Sequence, residues 1–165
     1  MALPTSAVFA EPENQEIIME HIVRKYEDKD LNEVLSSWEN ASRIADPFLT
    51  KEFIEQERYN ILNIYLPNAE TWVVEQKGQV LGFIALLGNE VGGIFVKPEF
   101  QGTGAGRALM DHAQKLRGDL EVEVFKANSI GRKFYGSYGF KMVSEKVHEQ
   151  TGNELLRLKF TADNA

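Results

Sequence analysis

The sequence predicts one mixed α/β domain built on a central sheet, and three observations predict it. Short runs with period-two alternation, such as Leu120 to Phe125, are interleaved with stretches of helical period, such as Leu31 to Ile44. A strand, a glycine loop and a helix start follow one another from Ile94 to Leu109. Finally, 165 residues with 43% hydrophobic content make one domain with enough apolar material for a real core.

Composition narrows the function classes. There is no cysteine, hence no disulfide framework, thiolate nucleophile or cysteine zinc site. No apolar run approaches the roughly 20 residues of a membrane helix, so no membrane partner is expected. A formal net charge of −7 argues against nucleic acid. An anionic ligand would need a local basic patch.

Met1 to Ile18 lack a sustained period and contain Pro4 and Pro12. They are expected to be a disordered leader or a vector-derived extension, with Met19 the natural start of a domain running to residue 165. His21 to Tyr26 alternates as a first strand. Asp30 with Glu33 has capping-box spacing, opening a helix to about Ile44 that Asp46-Pro47-Phe48-Leu49 breaks. Thr50 caps a second helix carrying Phe53, Ile54, Ile61, Ile64 and Tyr65 on one side, closed by Pro67. Trp38, Phe53 and Tyr65 are expected in the core, and Phe48, in a loop, in a pocket wall.

Thr71 to Glu75 is a strand, and Lys77-Gly78 turns the chain into the apolar strand Val80 to Leu87. Gly88-Asn89 turns it again into Glu90 to Val96, where Gly92-Gly93 predicts a bulge. The next helix shows Ala105, Leu109, Ala113 and Leu116 on one face and stops at Gly118. After the strand Leu120 to Phe125, Asn128 to Gly139 reads as a short helix with Ile130, Phe134 and Tyr138 on one face. Lys141 to Glu149 and Glu154 to Phe160 form a hairpin around Thr151-Gly152-Asn153, with Leu156, Leu158 and Phe160 inward.

The informative stretch is Ile94 to Leu109. Gly102, Gly104 and Gly106 alternate, so the backbone can curl with its N–H groups inward and no Cβ in the way. The helix start behind them adds free N–H groups and partial positive charge. Together they make an anion site suited to phosphate. A P-loop is excluded because Arg107 stands where Lys is needed. A dinucleotide fingerprint fails too: the third glycine comes one residue early, and too little chain follows for a doubly wound sheet, although Glu121 and Glu123 lie near the ribose-binding distance.

What fits is Gln/Arg-x-x-Gly-x-Gly/Ala, met by Gln101, Gly104 and Gly106. This stretch resembles the acetyl-CoA pyrophosphate loop of the GCN5-related N-acetyltransferases, the GNAT superfamily. Asn128 to Phe140 resembles that family's second signature, Asn-x-x-Ala-x-x-Phe-Tyr-x-x-x-Gly-Phe, with Gly131 in place of Ala. That change should loosen the helix by up to ~1 kcal/mol without removing a ligand. The two motifs lie in the family's order with a strand between them, and the likeness covers about Met19 to Phe160. Ala45 to Leu49 further resembles the small bacterial YjaB-like branch. The resemblance implies the GNAT fold: a twisted, mostly antiparallel seven-stranded sheet, a parallel pair splayed at the cofactor site, and about four helices on both faces.

It also implies an acetyl-CoA-dependent N-acetyltransferase acting through a ternary complex, without metal, in a bacterial cytoplasm. The amides of Gly102, Thr103, Gly104, Ala105, Gly106 and Arg107, with Gln101, would hold the pyrophosphate. The strand edge at Ile94, Phe95 and Val96 would pair with the pantetheine arm, as would Asn128. Lys133, with Lys126 and Arg132, forms a basic patch suited to the 3′-phosphate. His112 and His148 stand apart and suggest no metal site.

The chemistry needs a base and an acid. Only a neutral amine attacks a thioester, and deprotonating an alkyl ammonium of pKa about 10.4 at pH 7 costs roughly 4.6 kcal/mol. A carboxylate, directly or through water, would take that proton. Glu123, five residues before Asn128, is the candidate the resemblance suggests; Glu90 competes with it. Tyr135 would protonate the leaving thiolate. The acceptor is a small-molecule or peptide amine, met by loops at Asp46 to Thr50 and His148 to Asn153, and the chain is a monomer or homodimer. A catalytically silent acyl-CoA sensor is the alternative class; Tyr135 with nearby carboxylates favours the enzyme.

Overall fold

Residues 20–163 are described in the computed structural model of the chain. The expected leader over Met1 to Ile18 and the start at Met19 lie outside them. The strands are β1 (Ile22–Lys25), β2 (Glu70–Gln76), β3 (Gln79–Leu87), β4 (Glu90–Val96), β5 (Leu120–Phe125), β6 (Lys141–Val147) and β7 (Glu154–Phe160). They form one sheet in the order β1-β2-β3-β4-β5-β7-β6. Every pair is antiparallel except β4 with β5.

The helices are α1 (Leu31–Ala45), α2 (Lys51–Asn60), α3 (Ala105–Arg117) and α4 (Ser129–Tyr138). A π-helical stretch, Ile61–Tyr65, and a last turn, Leu66–Asn68, extend α2. Val34, Leu35 and Trp38 of α1 pack with Ile61, Val73 and Phe83 in one apolar cluster. Leu109, Met110 and Ala113 of α3 pack with Val74, Val122, Leu158 and Tyr135 in another. Helices thus cover both faces, as the alternation of periods requires.

Local chemistry explains most boundaries. Thr50 Oγ1 accepts the Phe53 N–H at 3.1 Å and starts α2 as expected. Lys77 and Gly78, both at positive φ, make the tight turn between β2 and β3. β5 alternates strictly between buried and half-buried residues.

Four expectations are corrected. Asp30 does not cap α1 against Glu33. Its carboxylate turns back to accept Glu27 N–H at 2.9 Å and Arg24 Nη1 and Nη2 at 2.8 and 2.9 Å, while Glu33 pairs with the buried Lys97. On α3, Leu116 is exposed, and Met110 fills the core instead. Ile64 and Tyr65 are exposed because the π-helical stretch rotates them off the α2 face that carries Ile61. On α4 the expected face is shifted: Phe134 and Tyr138 are half-buried against the core, but Ile130 is exposed and Tyr135 is the fully buried residue. The reason lies in α3, where Asp111 and Gln114 accept from the Tyr138 hydroxyl at 2.7 and 2.9 Å. That contact ties the half-buried Tyr138 to α3 and turns Tyr135 inward.

Candidate active site

The parallel pair is short. β4 and β5 are in register only at Glu90 with Glu121 and Val91 with Val122. Beyond that the strands part, as the two glycines predict. Ala85 of β3 opposes Gly93 while Leu86 opposes Val91, so Gly92 is the extra residue of a bulge. A bulge raises the local twist and bends the strand away from its neighbour. The opening is a cavity of about 710 Å³.

Its walls collect most of the residues singled out from the sequence. Ile94, Phe95 and Val96 come from β4, Glu123 from β5, and Asn128, Lys133 and Tyr135 from the start and body of α4. Gln101, Gly102, Gly104, Gly106 and Arg107 come from the glycine loop and the first turn of α3. Thr103 and Ala105 belong to the same loop without lining the cavity: Thr103 Oγ1 donates to Phe100 O at 2.6 Å, and Ala105 is buried.

The loop's geometry is that of a cradle. Gly104, the residue before α3, has φ +96°, which side-chain-bearing residues avoid. A Cβ there would also lie 3.6 Å from the His21 ring. The loop residues Gly102 to Gly104 are exposed at the helix N-terminus, where free N–H groups and the helix dipole favour an anion.

Several candidates have local duties. Gln101 Nε2 donates to Val96 O at 3.1 Å, so it braces the strand edge from the loop. Asn128 Oδ1 accepts the Gly131 N–H at 2.8 Å and caps α4, leaving its amide nitrogen as donor. Gly131 leaves room for this rotamer: a Cβ at that position would stand 2.7 Å from Asn128 Nδ2 and make the amide shift. The departure from Ala therefore has a local function beyond loosening the helix. Arg107 lies over the Tyr138 ring, 5.3 Å from its centroid.

The basic patch is partly spent. Lys126 pairs with Glu154 at 3.2 Å, and Arg132 donates to Lys126 O at 3.0 Å. Lys133 is the member of that patch that lines the cavity. The two carboxylates expected as bases are also engaged. Arg157 reaches Glu90 at 2.9 Å and Glu123 at 3.1 Å, and Lys146 reaches Glu123 at 3.3 Å.

Tyr135 is buried and packs between Phe134 and Phe140, with ring centroids 5.6 and 5.5 Å away. Tyr135 stands off the face expected to pack, yet it is buried, and it also lines the cavity. Burial first, and the charge of Asp46 second, push its hydroxyl well above the ordinary 10.0.

Asp46 lines the cavity too, with Ala41 and Ala45 of α1. Asp46 is not among the base candidates the sequence offers, although its segment is an expected acceptor loop. The signal present was an acid at a helix C-terminus, where the dipole disfavours it. Phe48 packs edge-on against Phe125 at 5.2 Å instead of forming the wall itself; Phe125 does line the cavity. His148 meets Phe125 at 5.4 Å and Phe53 at 5.9 Å. The two loops expected to receive the acceptor therefore converge on one aromatic cluster. Among the described residues no group of His, Asp or Glu side chains could hold a metal, and no helix is long and apolar enough to cross a membrane.

Comparison with known proteins places this geometry. The family model described as an acetyltransferase (GNAT) domain matches residues 67–142. The peptidyl-lysine N-acetyltransferase YiaC of Escherichia coli is 28% identical over 131 residues, 79% of this chain and 90% of that one. The solution structure of apo YjaB from Escherichia coli superposes with TM-score 0.78 at 26% identity, covering 88% of this chain and 100% of that one. PaiA N-acetyltransferase from Thermoplasma acidophilum, solved with coenzyme A, shares the fold at TM-score 0.67 and 19% identity, over 86% of this chain and all of that one. In motifs and sequence the chain is similar to the acetyltransferases of the GNAT superfamily, and it has their fold.

Proposed function

We propose that the chain transfers the acetyl group of acetyl-CoA to a primary amine by direct attack on the thioester in a ternary complex. The observation that carries this reading is the fork. The β4/β5 opening, the glycine cradle at the α3 N-terminus and Tyr135 all face one cavity. The residues present suit the cosubstrate. The amides from Gly102 to Arg107, with the Arg107 fork, would take the pyrophosphate. The free edge of β4 at Ile94 to Val96 and the Asn128 amide would hold the pantetheine arm. Lys133 would meet the 3′-phosphate. Acetyl-CoA supplies an activated acyl group.

Tyr135 would protonate the leaving sulfur. Its raised pKa keeps the hydroxyl protonated at neutral pH, ready to donate as negative charge develops. Glu123, within the cavity, would orient the acceptor through its ion-paired carboxylate. The name of YiaC, a peptidyl-lysine N-acetyltransferase, together with the apolar rings of Phe48 and Phe125 beside the cavity, supports a lysine side chain as acceptor. Thiol release from acetyl-CoA is the test, measured with a panel of lysine peptides and small amines. Amine-dependent release is expected. Tight cofactor binding with no release across the panel would instead mark a sensor.

A further inference from the structure

We propose that Asp46 is the general base, taking the proton from the acceptor's ammonium; this rests on the acetyltransferase reading above. The chain puts Asp46 in place by simple means. Pro47 disfavours helical backbone at the residue before it, so α1 ends there and Asp46 adopts φ −128°, ψ 62°. Its N–H donates to Ser42 O at 2.8 Å and its carbonyl accepts the Leu49 N–H at 3.1 Å. The backbone is therefore anchored on both sides, and the side chain stands at the cavity wall with Tyr135.

The carboxylate is unlike the other acids of the cavity region. Asp46 Oδ1 is sealed from solvent and has no hydrogen-bond partner among the described residues. Glu123 and Glu90 share Arg157 and so have their charge met already. A carboxylate that is desolvated and unpaired gains most from a cation placed beside it. An acceptor ammonium is such a cation, and the aromatic cluster of Phe48, Phe125 and His148 adjoins the same loop. Burial also pushes the Asp46 carboxyl up to about 6, close to the pH at which a base must work. The groups that share the cavity with it are Tyr135 and Lys133 of α4, Glu123 of β5 and Arg107 of α3. The C-terminal carbonyls of α1 add partial negative charge.

The proton balance closes. Asp46 takes one proton from the ammonium. The freed lone pair forms the C–N bond as the C–S bond breaks, and the sulfur takes the Tyr135 proton. The phenolate recovers the second proton from the nitrogen, leaving a neutral amide and a thiol. Asp46 then releases its proton to solvent. The two groups assist each other: neutralising Asp46 removes the charge that helps hold the Tyr135 proton in place.

The test compares wild type with Asp46→Asn, using acetyl-CoA and a short lysine peptide. At pH 7, kcat/KM should fall on the order of 10²-fold. Wild-type kcat/KM should level off above about pH 6, whereas the variant's should keep rising tenfold per pH unit, because the amine's own pKa is about 10.4, and close a 10²-fold gap by about pH 9. A second readout needs no turnover. In the apo protein, the Asp46 carboxyl carbon followed by NMR should titrate at about 6, and Asp46→Asn should raise Tm at pH 8. Equal rates and parallel pH profiles in the two proteins would overturn the base role while leaving the acetyltransferase reading intact. A wild type that releases no thiol with any amine would overturn both. An Asp46 titrating in the ordinary carboxylate range, near 3.8, would also overturn it.

Discussion

Tyr135 is where residue chemistry and residue position part company. Its candidacy as the acid was legible from the Phe134-Tyr135 pair, because a tyrosine is protonated at neutral pH and can still donate. Its burial was not legible. Helical spacing gives the angles between side chains, not which sector faces the core. That was settled by the Tyr138 hydroxyl finding Asp111 and Gln114 on α3. Tyr135→Phe keeps the ring in its packing between Phe134 and Phe140 and removes only the donor. We expect kcat to fall on the order of 10²-fold with cofactor Kd within a few-fold. Turnover and calorimetric binding measured on the same sample check it; a rate within twofold of wild type would exclude Tyr135 as the acid.

At the scale of elements, the loop between β4 and α3 is a backbone device. Its glycine spacing was readable because no other residue takes positive φ so easily. Gly104→Val places a β-branched side chain at φ +96° and against His21, so the loop must leave its curled form. Kd for coenzyme A should rise at least about tenfold, about 1.4 kcal/mol, while far-UV circular dichroism stays as in wild type. Unchanged affinity in a folded variant would show that the cradle does not hold the pyrophosphate. The bulge in β4 was equally readable, from Gly92-Gly93. The reverse holds for α1: Asp30 and Glu33 have cap spacing, but the stronger partner for Asp30 was Arg24, six residues back across a turn. A guanidinium bound by two nitrogens outcompetes a backbone N–H.

At the scale of the molecule, two charge networks join distant parts of the chain. Arg157 of β7 meets Glu90, Glu121 and Glu123 at 2.9, 3.4 and 3.1 Å, just where β4 and β5 are still paired. It clamps the base of the fork. Arg157→Met would leave three like charges side by side, and we expect a loss of about 1–3 kcal/mol in urea unfolding, together with weaker coenzyme A binding. The second network ties β1 to β2 and to the turn before α1, through Arg24, Asp30 and Glu75. The hydrogen bonds from Arg24 hold the buried Asp30 carboxyl below its ordinary 3.8. A lowered folded-state value means stability that is complete above pH 3.8 and lost as pH falls through the folded value. Asp30→Asn removes one partner of a buried pair, so it should cost about 3–5 kcal/mol at pH 7 and flatten the acid limb of a stability–pH curve. An acid limb unchanged from wild type would assign the acid sensitivity elsewhere.

By itself the sequence determined the element order, the bulge, the glycine loop and the likeness to the family, because each depends on local backbone chemistry: glycine spacing, proline stops and side-chain period. Only the tertiary structure decided which carboxylates are paired and which are buried without a partner. Glu123 and Glu90 looked available in the sequence, but β7 and β6, more than twenty residues further along the chain, deliver Arg157 and Lys146 to them. Asp46 looked like a loop residue, but the end of α1 carries it to the wall that α4 closes with Tyr135. Ion pairing and desolvation are properties of neighbours in space, and neighbours in space come from the fold.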